Sequence, residues 1–224
     1  VFKACLSPVK TMIEYKRKLH YLNISVFLQS QTFMFPISLL FYQYCGLSVG
    51  DFFLFQGIFS LAALLLEVPM GYLADIFPKK NILALSYVFV IIRDLLWLFL
   101  AQYGYWIILL GEILYAAYKT SFSGVPDSYI YEYLKIQNVS NKMIKHYGKM
   151  NFFMMLGTSF SSVIGAGIYA VISEYTLEKY NCNYGFIILI YLELLLNLIA
   201  ICLLFRLPQL PQQSSFRTSL KKHI

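Results

Sequence analysis

The chain has 224 residues, 59% of them hydrophobic and 13% charged, with a mean hydropathy of +0.63 and a formal net charge of +7. A soluble domain carries about a quarter charged residues, so a surface this apolar calls for a bilayer as its solvent. The basic residues punctuate apolar runs instead of gathering on one polar patch, which argues against a nucleic-acid partner and for membrane topology.

Residues 1–20 read as a basic tail with Lys3, Lys10, Lys16, Arg17 and Lys18. It is mixed in character and lacks a small-residue cleavage site, so it is no signal peptide. Val1 in place of Met suggests a fragment or an unusual start. A spanning helix needs roughly 20 mostly apolar residues. Six stretches qualify, at about 21–43, 51–72, 81–101, 105–130, 149–172 and 184–205. They are too long and continuous for barrel strands, so an all-α membrane protein is expected.

The first span carries Asn23, Gln29, Ser30, Gln31 and Thr32 ahead of Pro36. Such polarity predicts a wet face, and the proline predicts a bend usable in gating. Gln29 and Thr32 share a face and either line a cavity or bond across helices. Between the second and third spans the chain reads GYLADIFPKK, Gly71 to Lys80. Gly71 is expected to permit a tight turn, Asp75 to sit favourably at a helix start, and Pro78 to hold Phe77 extended.

In the third span Arg93 and Asp94 are neighbours about 100° apart, so they are not expected to pair with each other. An ion pair of this site with Glu67, Glu112 or Asp127 is expected instead. In the fourth span Glu112, Tyr115 and Lys119 share one helix face. Asp127 and Glu132, near its end, read as capping and gate residues. The fifth span holds Gly157, Ser161 and Gly165, a stripe of small residues that favours close helix contact. Glu193 in the sixth has no evident partner. Residues 206–224 are polar and proline-containing and read as a linker.

Orientation follows from Lys and Arg. The N-terminal tail, Lys79 and Lys80, then Lys135, Lys142, Lys145 and Lys149, then Arg206, Arg217, Lys221 and Lys222 all fall on one side, and Lys179 on the other. The positive-inside rule puts both termini in the cytoplasm. The 19 Tyr and 19 Phe fit aromatic belts at the headgroups, or a plain compositional bias.

The segment Gly71-x-x-x-Asp75 with Lys79 and Lys80 resembles the loop between helices two and three of the major facilitator superfamily of secondary transporters. Ile76 replaces that loop's first basic residue and Pro78 its inner glycine. Glu67-Val68-Pro69-Met70-Gly71 resembles a turn of one branch of the superfamily. Ser123-Gly124-Val125-Pro126-Asp127 with Tyr131-Glu132 is similar to the end of helix four there, and Lys149, Gly157, Gly165 and Gly167 resemble helix five. The blocks cover about residues 51–170, in order.

The resemblance implies the N-terminal bundle of a major-facilitator fold: six transmembrane helices as a 3+3 inverted repeat, with substrate bound between two halves. Residues 21–205 would be that bundle. Because helix four lines the family's cavity, Glu112, Tyr115 and Lys119, with Gln29 and Thr32, are the substrate or proton candidates. An ion pair that only fixes packing is the competing reading of Glu112 and Lys119. Gly71, Asp75, Lys79 and Lys80 would gate the cytoplasmic side. Glu67, Arg93, Asp94, Asp127 and Glu132 would be structural or gate charges. Proton-coupled members often carry an arginine near the position of Glu112, and the antiporter version of helix five carries a Gly-Pro pair; both are missing here. A desolvated carboxylate can itself carry a proton.

The implied function is an ion-gradient-coupled secondary transporter half in the plasma (inner) membrane. Its partners would be the bilayer, a small solute and a second six-helix half, in the same chain or by homodimerisation. The alternative is a non-transporting membrane protein, either an immunity or sensor protein or a degenerate transporter fragment. An intramembrane enzyme is disfavoured, since His20, His146 and His223 lie outside the spans and no Gly-x-Ser-x-Gly occurs. No nucleotide-binding loop occurs either. Cys5, Cys45, Cys182 and Cys202 show no metal spacing, and neither metal nor cofactor is expected. A Cys45–Cys182 disulfide at the outer face is a minor alternative.

Overall fold

The computed structural model describes residues 17–100, 104–137, 139–180 and 184–210. Cys5, Cys182 and most of both tails therefore lie outside the described residues. The described elements are helical throughout: α1 over 17–29, α2 (Ser38–Tyr44), α3 (Val49–Ile76), α4 (Lys79–Leu100), α5 (Tyr105–Phe122), α6 (Val125–Ile136), α7 (Met143–Tyr180) and α8 (Tyr184–Phe205). Four of them, α3, α4, α7 and α8, are continuous, long and apolar enough to cross a membrane.

Two of the expected spans are interrupted. The first is α1 and α2 with a non-helical stretch between them, closed by a 3-10 turn at Phe35–Ile37 with Pro36 in its first turn. The break begins at Ser30, six residues ahead of the proline expected to cause it. The other is α5 and α6, parted at Ser123-Gly124. Gly124 takes φ 68°, a left-handed conformation, and Pro126 opens α6.

The second span corrects the expected loop. Helix α3 runs on through Gly71 to Ile76, so the connection to α4 is only Phe77 and Pro78. Gly71 makes no turn and lies inside the helix, with open space where a side chain would project. Asp75 lies in the last turn of α3 and not at a helix start, and it is steadied by Lys79 at 3.6 Å. Phe77 is extended, with φ −95° and ψ 154°, as the following proline requires. The far end of α3 is set by Ser48 and Asp51. The Asp51 amide donates to Ser48 Oγ at 3.1 Å, and the Asp51 carboxylate accepts from the Ser48 amide at 2.9 Å. This reciprocal cap satisfies donors that a helix start otherwise leaves open.

Helix α4 is the central post. It packs along α5 and α8, while α3 lies on α5 and α7 on α8. Two apolar cores result. One gathers Leu22, Val26, Leu83, Tyr87, Tyr129, Leu134 and Leu204; the other gathers Phe41, Tyr42, Phe55, Trp97, Ile108, Phe186 and Ile190. The first span (α1 through α2), α4 and α8 each pass from one core to the other, and the residues at the crossing are polar. Between Val90 and Trp97 of α4 stand Arg93 and Asp94. Between Ile190 and Ala200 of α8 stand Glu193 and Asn197. The bundle is thus two greasy halves separated by a polar layer.

Candidate functional site

The polar layer is assembled from elements far apart in sequence. Arg93 reaches back along its own helix, and its Nε and Nη2 donate to Asp94 Oδ1 at 2.9 and 2.5 Å. The expectation that these neighbours do not pair is therefore wrong. Their Cα–Cβ vectors diverge, but a guanidinium on a long flexible stem can swing across one helix step. Nη2 also donates to Glu193 Oε2 at 2.9 Å. Asn197 Nδ2 fills Asp94 Oδ2 at 3.0 Å.

Glu193, which shows no partner in the sequence, has two. Its second oxygen accepts the Met34 backbone amide at 2.8 Å. The group is buried: exposure is 8% for Arg93, 0% for Asp94 and 4% for Glu193. Unpaired, such charges would be costly; here each is paired and hydrogen-bonded. Glu67, Glu112 and Asp127, the expected partners of Arg93, form no ion pair with it. Glu67 faces outward on α3. Asp127 sits in the first turn of α6, where the helix dipole favours it, but no side-chain cap bond forms and its Oδ1 is buried without a partner. Glu132 is half-buried on α6.

Helix α7 supports the unwound stretch of the first span. The Thr32 amide donates to Ser161 Oγ at 3.0 Å, and Thr158 Oγ1 donates to the Ser30 carbonyl at 3.1 Å. The small-residue stripe lies against the same stretch. A Cβ on Gly157 would stand 2.3 Å from Gln31 Nε2, and one on Gly165 2.3 Å from the Phe33 carbonyl oxygen. The expected close contact is therefore made, against Phe27 of α1 at Gly157 and against the unwound chain at both glycines. Backbone groups freed from a helix at membrane depth need such partners.

Beside this stretch opens a cavity of about 450 Å³. Thr32, Met34, Pro36 and Leu39 form one wall, Phe52 and Gln56 of α3 another, and Arg93, Trp97, Glu112 and Tyr115 the third. Glu112 is buried and accepts a short hydrogen bond from the Tyr42 hydroxyl. Arg93 lies between two rings, its Cζ 4.9 Å from the centre of Trp97 and 4.8 Å from that of Tyr115.

The structure therefore brings three of the five cavity candidates, Thr32, Glu112 and Tyr115, to one hollow. Gln29 is instead buried and accepts from the Tyr118 hydroxyl at 2.6 Å. Lys119 is exposed and lies over the Tyr115 and Tyr118 rings at 5.3 and 5.4 Å. Among the described residues Glu112 and Lys119 make no ion pair. Sequence reasoning missed Tyr42, Gln56, Trp97 and Asn197. Trp97 and Asn197 do carry a signal, each standing one helical turn from a charged residue in an apolar span.

The motif lysines cap helix ends. Lys79 Nζ donates to the Ala74 carbonyl at 2.6 Å, closing α3. Lys80 Nζ donates to the carbonyls of Phe205 and Leu207 at 3.0 and 2.6 Å, and Lys18 Nζ to that of Arg206 at 3.1 Å, closing α8. Cations are favoured at such C-termini.

A family model described as Major Facilitator Superfamily matches residues 20–224. The chain belongs to the major facilitator superfamily. Membership makes it an integral membrane protein of a transporter family, with the bilayer around it and a small molecule as substrate. No curated protein matches the chain.

Proposed function

We propose that this chain is the N-terminal half of a secondary active transporter, six spans in a 3+3 inverted repeat, that moves a small solute by alternating access driven by an ion gradient. The observation that carries this reading is the pair of interrupted segments. They are the first and fourth of six, the corresponding members of two three-helix units, and broken helices in corresponding positions mark substrate sites in transporters built from repeats. The unwound stretch of the first and the α5 part of the fourth both wall the cavity that holds Glu112.

A second six-helix bundle would supply the opposite wall, from the same polypeptide or from a second copy. It would cover α3, whose surface is largely left bare by the rest of the chain. Both termini of the segment would face the cytoplasm across the plasma (inner) membrane. Gly71, Asp75, Lys79 and Lys80 would form the cytoplasmic gate, with Glu67, Asp127 and Glu132 as further gate or structural charges.

Uptake of a panel of radiolabelled solutes into liposomes holding the purified protein tests this. Glu112→Gln is expected to lower uptake of the transported solute about tenfold or more, the loss when a charged partner of a substrate or proton is removed. Glu174→Gln, on an exposed position of α7, is expected to leave it unchanged. Uptake indifferent to Glu112→Gln would overturn the site assignment. No uptake of any solute would favour a sensor or immunity role.

A further inference from the structure

Resting on the transporter reading of the same cavity, we infer that it takes a monovalent organic cation, an ammonium bearing an aromatic or branched alkyl group. The argument starts from charge. Asp94, Glu112 and Glu193 are buried, and the nearby bases are Arg93 and Lys119. Lys119 is exposed, so of the two bases only Arg93 is buried with the three carboxylates.

The ion pairs of Arg93 leave one carboxylate out. Arg93 serves Asp94 and Glu193 together, and Asn197 and the Met34 amide complete those two. Lys119 is exposed and held on ring faces. Among the described residues Glu112 receives the neutral Tyr42 hydroxyl and no ion pair. A carboxylate at membrane depth without an ion-pair contact is expensive, and a bound cation lowers the expense.

The walls suit the rest of such a ligand. Phe52, Trp97 and Tyr115 line the hollow, and ring faces attract cations electrostatically. Trp97 and Tyr115 already hold the Arg93 guanidinium in that manner. An anion would meet Glu112 while the Arg93 donors facing the carboxylates are taken. A neutral solute would leave Glu112 without an ion pair. About 450 Å³ also accommodates a cation of this size.

The test uses the purified full chain in lipid nanodiscs. Phenyltrimethylammonium is compared with its neutral isostere tert-butylbenzene and with benzenesulfonate by equilibrium dialysis. The ammonium is expected to bind about tenfold or more tightly than the isostere. Glu112→Gln is expected to erase that difference, and Glu174→Gln to keep it. Because a poorly folded variant would also lose binding, the unaltered protein is treated with dicyclohexylcarbodiimide and its peptides are weighed. Modification of Glu112 is expected to slow with the ammonium present and not with the isostere.

Equal binding of the isostere, preference for benzenesulfonate, or unchanged modification of Glu112 would each overturn the inference. If liposomes take up a neutral or anionic solute in a Glu112-dependent way while the ammonium fails, the cation assignment falls and the transporter reading stands. If the ammonium binds and protects Glu112 but no solute exchanges across liposomes, the cation site stands and the transporter reading falls.

Discussion

Arg93 sets the energetics of the polar layer. It is one buried guanidinium between two buried carboxylates, so removing it leaves two buried negative charges facing each other. Arg93→Ala is expected to cost about 3–5 kcal/mol, read as a lower denaturation midpoint in detergent. Replacing only Lys119, which is exposed and in no ion pair among the described residues, should change the midpoint little. A second residue-level test concerns Gly111, where an added Cβ would stand 2.1 Å from Trp97 Nε1. Gly111→Ala is expected to displace the indole and cost about 1–3 kcal/mol. In a Trp106→Phe background, Trp97 emission reports the displacement directly. None of this was readable from adjacent residues. Arg93 and Asp94 are nearest neighbours, yet their pairing depends on where the guanidinium finds its second carboxylate, 100 residues away on α8.

At the scale of elements, the interruptions matter most. The second falls inside a span read as continuous over 105–130, although Gly124 followed by Pro126 carries a break signal, since glycine tolerates the left-handed turn and proline starts the next helix. Gly124→Ala is expected to cost about 1–2 kcal/mol from the left-handed backbone alone. The first interruption was legible only as a bend near Pro36. Residues 30–34 contain neither glycine nor proline. They leave the helix because Ser161, Thr158 and Glu193, each more than 100 residues on, take up their backbone groups. The six apolar runs are plain to read because hydropathy is a local property. The unwinding is not, because it depends on tertiary partners. Gly165→Ala and Gly71→Ala separate the two kinds of glycine. The first drives a methyl into the Phe33 carbonyl and is expected to destabilise the protein. The second fills open space inside a helix and is expected to stabilise it by up to about 1 kcal/mol. Thermal unfolding of the two variants side by side checks both signs.

At the scale of the whole molecule, the uncovered faces bear on transport. If a second bundle lies on α3, Gly71→Ala should lower solute uptake even as it raises stability, since it would thicken a contact surface; unchanged uptake would remove Gly71 from that interface. The basic residues that announce orientation also close the bundle. Lys18 and Lys80 both cap the carbonyl end of α8, tying the first and third segments to the sixth. The link from the Met34 amide to Glu193 spans 159 residues. That span has a consequence for biogenesis. A nascent chain emerges N-terminus first, so the opening segment meets lipid long before the carboxylate that will accept its amide has been made. A stretch with unmet backbone groups is not tolerated there. The opening segment therefore has to enter as an ordinary continuous helix. It would unwind as the fifth and sixth arrive with Thr158, Ser161 and Glu193, which makes the insertion of α7 and α8 the step that creates the hollow beside Glu112.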